Sequence, residues 1–246
     1  MNSKKILAVW GSPSSGKTLN SFKIANILSR TRKNVIVVFC DPFIPTIPVV
    51  LPFHDGGKSL GEILTAPQIT QEKIISACLT LKKNSYLSFL GYRFSENVFT
   101  YPEYNRSNAM DFLIQLRHIA DYVIVDCTSH ISADILSTTA LEMADAVLRL
   151  GTCDLKGVSY FSSQLQYLME RRFNPDRHIK ILSNFKNGQP VAEIKEFYNG
   201  VQFEIPFIQE LEDQFRDGIL LESATSKEGK KHEGVLKQLI GEVFHE

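Results

Sequence analysis

The sequence of 246 residues has no long apolar run, no closely spaced cysteine pair and no excess of either charge. A transmembrane helix needs about 18 or more consecutive apolar residues, and no segment approaches that length. The four cysteines are widely spaced without a CxxC pair, which argues against a zinc site and suits a reducing compartment. The 27 basic and 27 acidic residues cancel, which argues against a polyanion-coating protein. We therefore expect a soluble, cytoplasmic globular protein.

Short apolar segments alternate with longer segments of helical periodicity. The predicted strands are Ile6–Trp10, Val35–Cys40, Tyr86–Leu90, Tyr122–Asp126, Ala146–Leu150, Ile179–Ser183 and Val201–Ile205. The predicted helices are Lys17–Thr31, Gln71–Lys82, Asn108–Ala120, Ala133–Met143, Lys156–Arg171, Val191–Tyr198 and Glu233–Phe244. The alternation predicts one α/β domain over residues 1–246. We expect a mostly parallel, twisted sheet of about seven strands with helices on both faces, a three-layer α/β/α arrangement.

The segment Gly11–Thr18 matches the phosphate-binding pattern G-x-x-x-x-G-K-[ST] at every fixed position, between an apolar strand and a helical segment. Its glycines let the backbone approach phosphates, Lys17 neutralises phosphate charge, and Thr18 places a hydroxyl on Mg²⁺. ATP or ADP and Mg²⁺ are therefore the predicted ligands. The predicted nucleotide contacts in this loop are Gly11, Ser12, Pro13, Ser14, Ser15, Gly16, Lys17, Thr18 and Leu19.

Polar side chains lie at the carboxyl ends of three other predicted strands, at the edge where an open parallel sheet binds its ligands. Asp126 ends an apolar strand, the pattern of a carboxylate that holds the magnesium shell. Asp41 could orient an attacking water, although Asp-Pro is also a plain turn sequence. Asn184 either hydrogen-bonds a base or occupies a turn.

Two segments interrupt the alternation of strands and helices. The segment Asp41–Lys58 is rich in proline and glycine, which predicts a loop that touches a ligand or a partner. The segment Tyr92–Asn108 is aromatic and polar. It is either a protein-binding surface or a small hydrophobic cluster under a long loop.

Together these residues resemble the ParA/MinD group of P-loop ATPases, the dimerising branch with a deviant phosphate loop. The resemblance covers nearly the whole chain and rests on Gly11–Thr18, Asp41, Asp126–Ser129 and Asn184. It implies that Asp41 assists the attack of water, that Asp126 reaches Mg²⁺ through water, and that Asn184 contacts adenine. It also implies a nucleotide-dependent homodimer.

Two residues depart from the pattern of that group. Ser12 stands where the family has a second lysine that reaches across the dimer, and Phe39 replaces the first Asp of a D-x-D pair. Lys17 and Asp41 remain the candidates for catalysis. Loss of a cation near developing phosphate charge can cost about 10³–10⁵ in rate, so we expect a weak or hydrolysis-impaired ATPase.

The segment Trp10–Pro13 is most similar to the CpaE/TadZ branch, which helps to position pilus and secretion machinery at cell poles. This similarity implies a protein partner in such a system and a polar or peripheral location. Two other functions stay open: a partition ATPase that binds DNA nonspecifically, and a nucleotide-bound scaffold without significant turnover. A metabolic kinase is a more distant alternative, because no Arg-rich lid is evident. Basic residues that could serve DNA binding are Arg30, Arg32, Lys33, Arg171 and Arg172.

The last predicted helix has one apolar face, formed by Val235, Leu236, Leu239, Ile240, Val243 and Phe244. Such a face either tethers a protein to a membrane or docks on the sheet. Glu242 and Glu246 on the polar side would be repelled by anionic lipid, which favours docking.

Overall fold

The computed structural model describes residues 5–52 and 57–244, so part of the proline-rich loop, residues 53–56, lies outside the described residues. The strands are β1 (Ile6–Gly11), β2 (Val35–Phe39), β3 (Leu79–Leu81), β4 (Asn84–Leu90), β5 (Tyr122–Asp126), β6 (Ala146–Gly151), β7 (His178–Phe185) and β8 (Phe203–Pro206). The α-helices are α1 (Lys17–Ser29), α2 (Ile47–Val50), α3 (Leu60–Leu64), α4 (Gln71–Ala77), α5 (Arg106–Ile119), α6 (Ile135–Met143), α7 (Leu155–Tyr167), α8 (Val191–Tyr198), α9 (Gln209–Arg216) and α10 (Lys227–Phe244).

Within the described ranges the strands form one 8-stranded sheet in the order β3-β4-β2-β5-β1-β6-β7-β8. All neighbouring strands are parallel except β3 and β4, which are antiparallel. Val9 of β1 and Phe39 of β2 both pair with Asp126 of β5. The carboxyl ends of these three strands therefore lie side by side. This placement brings the phosphate-loop sequence, Asp41 and Asp126 to the same edge of the sheet.

Helices cover both faces of the sheet, and this confirms the predicted α/β/α arrangement. Alternate residues of β1 belong to different cores, because successive side chains of a strand point to opposite faces. Leu7 and Val9 pack with residues of α1 and α10. Ile6, Ala8 and Trp10 pack with residues of α5, α6, α7 and α8. Every residue of β1 is buried, as expected for a central strand covered on both sides.

Several predicted elements differ from the observed ones. The predicted helix Gln71–Lys82 ends at Ala77, and its remainder forms β3, which pairs with β4. Cys78 has extended backbone angles, and the pairing with β4 outweighs the local helical pattern. The helix α9 was not predicted, because its sequence is mostly polar and only Leu211 and Gln214 are buried. Because β3 was not predicted as a strand, the sheet has eight strands where about seven were predicted.

The C-terminal helix α10 docks on the sheet. Its apolar residues Leu236, Leu239 and Val243 are buried in the core that also contains α1. The ring of Phe244 lies 4.6 Å from that of Tyr122. The structure therefore supports docking over an exposed membrane tether for this helix. None of the helices in the described ranges combines the length and the apolar character that crossing a bilayer requires.

Candidate phosphate-binding site

The loop between β1 and α1 makes a tight turn. Gly16 has a φ of +77° and Ser14 a φ of 60°, both in the left-handed region. Turns of this kind direct successive backbone N–H groups toward one point, which makes a concavity for an anion. In the described part of the chain no side chain caps the N-terminus of α1. Its first N–H groups and its positive dipole end are therefore available to phosphate.

Gly11, the first glycine of the loop, is required by the packing of two strands. A Cβ atom at this position would lie 1.9 Å from the carbonyl oxygen of Leu150 in β6. The backbone N–H of Ser12 donates to that same oxygen at 3.0 Å. The structure thus adds a reason for this glycine beyond the approach of phosphate, namely the contact between β1 and β6.

Lys17 connects the phosphate loop to the segment after β5. Its Nζ donates to the carbonyl oxygen of Ser12 at 3.1 Å and to Oγ of Ser129 at 2.7 Å. Ser129 Oγ in turn donates to the carbonyl oxygen of Gly11 at 2.9 Å. Burial lowers the pKa of Lys17, and the nearby Asp126 carboxylate acts in the opposite direction. A half-buried ammonium held by neutral oxygens is well placed to gain from an incoming phosphate.

Asp126 accepts hydrogen bonds from two hydroxyls of α1. Thr18 Oγ1 donates to Oδ2 at 2.7 Å, and Ser21 Oγ donates to Oδ1 at 3.1 Å. Burial raises the pKa of Asp126 to about 6, although Thr18, Lys17 and Ser21 favour the ionised form. A buried carboxylate beside hydroxyl oxygens is the ligand type that Mg²⁺ takes in phosphate-transfer sites. The residues present therefore fit a magnesium ion that phosphate and water would also coordinate.

Asp41 lies at the same edge but faces its own turn. Its Oδ1 accepts hydrogen bonds from the backbone N–H groups of Phe43 at 2.9 Å and Ile44 at 3.1 Å. This is the turn role that the Asp-Pro sequence indicated. The ring of Phe43 lies 6.3 Å from that of His130, so this loop contacts the segment that follows β5.

Asn184 lies in β7, where the pairing with β8 shifts register, and also contacts the phosphate loop. Its φ is 58°, and its Nδ2 donates to the carbonyl oxygen of Ser14 at 2.8 Å. The structure thus places Asn184 in a strand where the sequence allowed a turn, and its contact with a base stays a prediction. A cavity of about 340 Å³ opens beside it. The lining residues of this cavity are Ser14, Ser15, Gly16, Lys17, Thr18, Leu19, Asn184, Glu212 and Phe215.

Four residues of this region were not singled out in the sequence as site residues: Ser21, Ser129, Glu212 and Phe215. Ser21 lies three residues after Thr18 on α1, so helical spacing could have identified it. Ser129 follows Asp126 by three positions and was noted only as part of the resemblance. Glu212 and Phe215 lie on α9, which the sequence did not predict. The spacing of these two residues places them on one face of the helix.

The two departures from the family pattern are both buried. Ser12 is 1% exposed, and its Oγ accepts a hydrogen bond from the backbone N–H of Thr152 at 3.1 Å. Phe39 is 1% exposed and stacks on Phe89, with the ring centroids 6.1 Å apart. Both side chains therefore lie in the interior of the chain.

The sheet order, the helices on both faces and the phosphate loop define the fold of the ParA/MinD P-loop ATPases. A ParA family ATPase from Chlorobium tepidum is 18% identical, with a TM-score of 0.80, and covers 97% of this chain and 100% of its own. The MinD cell division protein of Aquifex aeolicus is 16% identical, with a TM-score of 0.74 and coverages of 96% and 97%. Apo McdA from Cyanthece is 19% identical, with a TM-score of 0.72 and coverages of 96% and 99%.

Comparison by sequence adds nothing to this structural similarity. No protein-family model matches the chain, and no curated protein matches it. One further structural neighbour is MinD from Pyrococcus horikoshii in complex with Mg-ADP, at 14% identity and a TM-score of 0.74. Another is an ATP complex of a Cyanothece McdA variant, at 16% identity and a TM-score of 0.67.

Proposed function

We propose that this chain is a member of the ParA/MinD family, acting over its whole length as one ATP-binding domain. In this proposal it binds ATP with Mg²⁺, dimerises in the ATP-bound state and hydrolyses ATP slowly. The cycle between monomer and dimer controls the recruitment of a partner. Neighbours of the same fold that bind Mg-ADP and ATP support the choice of ligands.

The observation that carries this proposal is the constellation at the ends of β1 and β5. There Lys17 donates to Ser129, and Thr18 donates to Asp126. A left-handed turn and the uncapped start of α1 lie beside them. A chance match to the loop pattern would not be expected to bring a half-buried lysine, a hydroxyl and a buried carboxylate together.

Each residue has a definite task in this proposal. Lys17 exchanges its bonds to Ser12 and Ser129 for phosphate oxygens, and this releases the segment that follows β5. Thr18 directly and Asp126 through water would hold Mg²⁺, and the bound ion would neutralise charge on the phosphates. Asp41 orients the attacking water once its turn rearranges around the γ-phosphate. Asn184 contacts the adenine, next to the cavity that Glu212 and Phe215 line.

For the recruited partner we propose a protein of a pilus or secretion system at the cell pole or the inner face of the membrane. The similarity of Trp10–Pro13 to the CpaE/TadZ branch supports this choice. DNA is a weaker candidate, because two of the five basic residues named for it already have acidic partners. Arg30 pairs with Glu233 at 3.2 Å, and Arg172 pairs with Glu142 at 2.8 Å.

A second candidate function is a nucleotide-bound scaffold without significant turnover. The burial of Ser12 favours it, because a buried serine provides no cation for the phosphates of a second subunit. The bonds of Asp41 to its own turn favour it as well. The scaffold and the switch differ in whether ATP changes the oligomeric state.

Light scattering of the full chain with Mg²⁺, first without nucleotide and then with ADP or ATP, tests the switch. Phosphate release is measured on the same samples. We expect a monomer without nucleotide or with ADP, and a dimer with ATP that slowly releases phosphate. A mass that does not respond to nucleotide, with ATP bound but uncleaved, would support the scaffold. A DNA mobility shift that depends on ATP and on salt would support the partition ATPase.

A further inference from the structure

Two buried polar side chains connect the C-terminal helix α10 to the phosphate loop. His232 of α10 is 5% exposed, and its Nε2 lies 2.9 Å from Oδ1 of Asn20 on α1. Asn20 is 3% exposed, and its Nδ2 donates to the carbonyl oxygen of Gly16 at 2.9 Å. The His232–Asn20–Gly16 relay therefore ends at the residue that precedes α1, beside the predicted phosphate site.

The direction of each hydrogen bond in the relay follows from what the groups can donate and accept. The carbonyl oxygen of Gly16 can only accept, so Asn20 presents its amide nitrogen to Gly16 and its amide oxygen to His232. That amide oxygen also only accepts, so Nε2 of His232 carries a proton and donates. Burial, with a contribution from the charge of Lys23, lowers the pKa of His232 to about 4. The imidazole is therefore neutral near neutral pH, with its proton on Nε2.

The relay fixes the orientation of the peptide between Gly16 and Lys17. The carbonyl oxygen of Gly16 accepts both from Nδ2 of Asn20 and from the backbone N–H of Asn20, the latter at 3.0 Å. These two bonds hold the carbonyl along the axis of α1. In a planar trans peptide the C=O and N–H groups point in opposite directions. The N–H of Lys17 is therefore directed out of the helix, where a phosphate oxygen can accept from it.

Packing alone does not hold the Asn20 amide in place. A cavity of about 30 Å³ adjoins Gly16, Asn20 and His232, and groups that border a cavity have fewer contacts to restrain them. Over its described residues the structure gives the amide oxygen of Asn20 no hydrogen-bond partner other than His232. The bond from His232 therefore decides how firmly the amide is held against Gly16.

We propose that His232 is a positioning residue for the phosphate loop, acting through Asn20 to hold the Gly16–Lys17 peptide in the orientation that receives a phosphate oxygen. This inference rests on the proposed function, because it assigns a supporting residue to the same nucleotide site. His232 does not itself touch the phosphate. Since the imidazole belongs to α10, the docking of that helix contributes to nucleotide binding as well as to the core.

The test is calorimetric titration of the full chain with Mg-ATP and with Mg-pyrophosphate. His232→Leu removes the donor, and we expect the affinity for Mg-ATP to fall by about five- to ten-fold. The affinity for Mg-pyrophosphate should fall by the same factor, because the loop is disturbed and the base site is not. His232→Gln should recover most of the affinity, because its side-chain amide can still donate to Asn20.

Two further variants separate positioning from stability. Val243→Ala removes buried packing from the same helix without touching the relay, so it should lower the melting temperature and leave the affinity unchanged. Asn20→Ala breaks the relay at its centre and should weaken Mg-ATP binding as much as His232→Leu does. In the Asn20→Ala background, His232→Leu should then cost less than about two-fold, because the two residues act in series.

The outcomes distinguish this inference from the proposed function. An unsubstituted protein that does not bind Mg-ATP would overturn the proposed function, and the relay with it. Tight binding that His232→Leu leaves within about two-fold would overturn the relay alone. Equal losses of affinity in His232→Leu and Val243→Ala would mean that α10 acts only through stability. If His232→Leu does not fold, Asn20→Ala decides, and an affinity that it leaves unchanged would contradict the positioning role.

Discussion

Two regions on the same edge of the sheet are built in opposite ways. The phosphate-loop corner, Gly11–Leu19 with Asp126–Ser129, is tied together by hydrogen bonds between β1, α1 and the end of β5. The proline-rich edge, Asp41–Pro52 with Tyr92–Asn105, exposes large apolar side chains, among them Phe94 at 80% and Ile44 at 68%. The first region is organised before any ligand arrives. The second has the exposure that switching and partner-binding segments need.

The largest effect should come from Lys17→Ala in the corner. The substitution removes the only side-chain cation that the structure, over its described residues, places in the corner. We expect ATP affinity to fall by 100-fold or more, about 3 kcal/mol, while the fold is retained. Calorimetric titration with Mg-ATP measures this, and Lys156→Ala on the exposed start of α7 is the control. Affinity within three-fold of the unsubstituted protein would contradict the role of this corner.

Ser12→Lys should destabilise the protein and should not restore the family's second lysine function. Ser12 is buried and bonded to Thr152, so a lysine there must either bury its charge or break the contact between β1 and β6. We expect a loss of about 2–4 kcal/mol in the free energy of unfolding. Denaturant unfolding measures it, with Ser163→Lys on the exposed side of α7 as the matched control. A stable Ser12→Lys protein with faster phosphate release would show that the loop opens more easily than its bonds indicate.

Asp126→Asn should affect the stability of the protein and its binding of Mg-ATP in opposite ways. The pKa of Asp126 is raised to about 6 by burial, so the folded protein holds this proton more tightly than the unfolded chain. The contribution of Asp126 to stability is therefore greatest at low pH and is lost as the pH rises through about 6. Asp126→Asn should be more stable than the unsubstituted protein at pH 7, by about 1–3 kcal/mol, and equal to it near pH 4.

The same Asp126→Asn substitution should weaken the dependence of ATP binding on Mg²⁺, because it removes the carboxylate that would hold the ion. Thermal unfolding from pH 4 to 8 and ATP titrations with and without Mg²⁺ measure the two effects separately. A variant that is less stable than the unsubstituted protein at pH 7 would mean that the bonds from Thr18 and Ser21 outweigh the cost of the buried charge.

Asp41→Ala, in the proline-rich edge, should have the smallest effect on stability and ATP binding. It removes two bonds within a partly exposed turn, which predicts a loss of less than about 1 kcal/mol. ATP affinity should stay within about two-fold, because the corner is intact. Phosphate release should fall to background if Asp41 orients the water. A drop in ATP affinity as large as that of Lys17→Ala would erase the distinction between the two regions.

The sheet and most of the corner followed from local patterns in the sequence. The strand Tyr122–Asp126 and the helix Val191–Tyr198 were predicted with their observed boundaries. In each segment the hydrophobic residues recur with one clear periodicity, and the ends of the segment are well marked. The loop pattern correctly placed Gly16, Lys17 and Thr18 between β1 and α1. Strand β3 was missed, because it forms through its pairing with β4 and its own sequence continues the helical pattern of α4.

The sequence by itself determined the α/β class, the phosphate loop and the carboxylate at the end of β5. These depend on residue spacing and on the conformational limits of glycine, which act over a few neighbouring positions. Only the tertiary structure decided that Ser12 is bonded to Thr152 inside the same chain, that Ser21 and Ser129 join the site, and that α10 is docked. It also connected His232 to the phosphate loop. Contacts between residues far apart in the chain depend on the strand order, which local patterns do not encode.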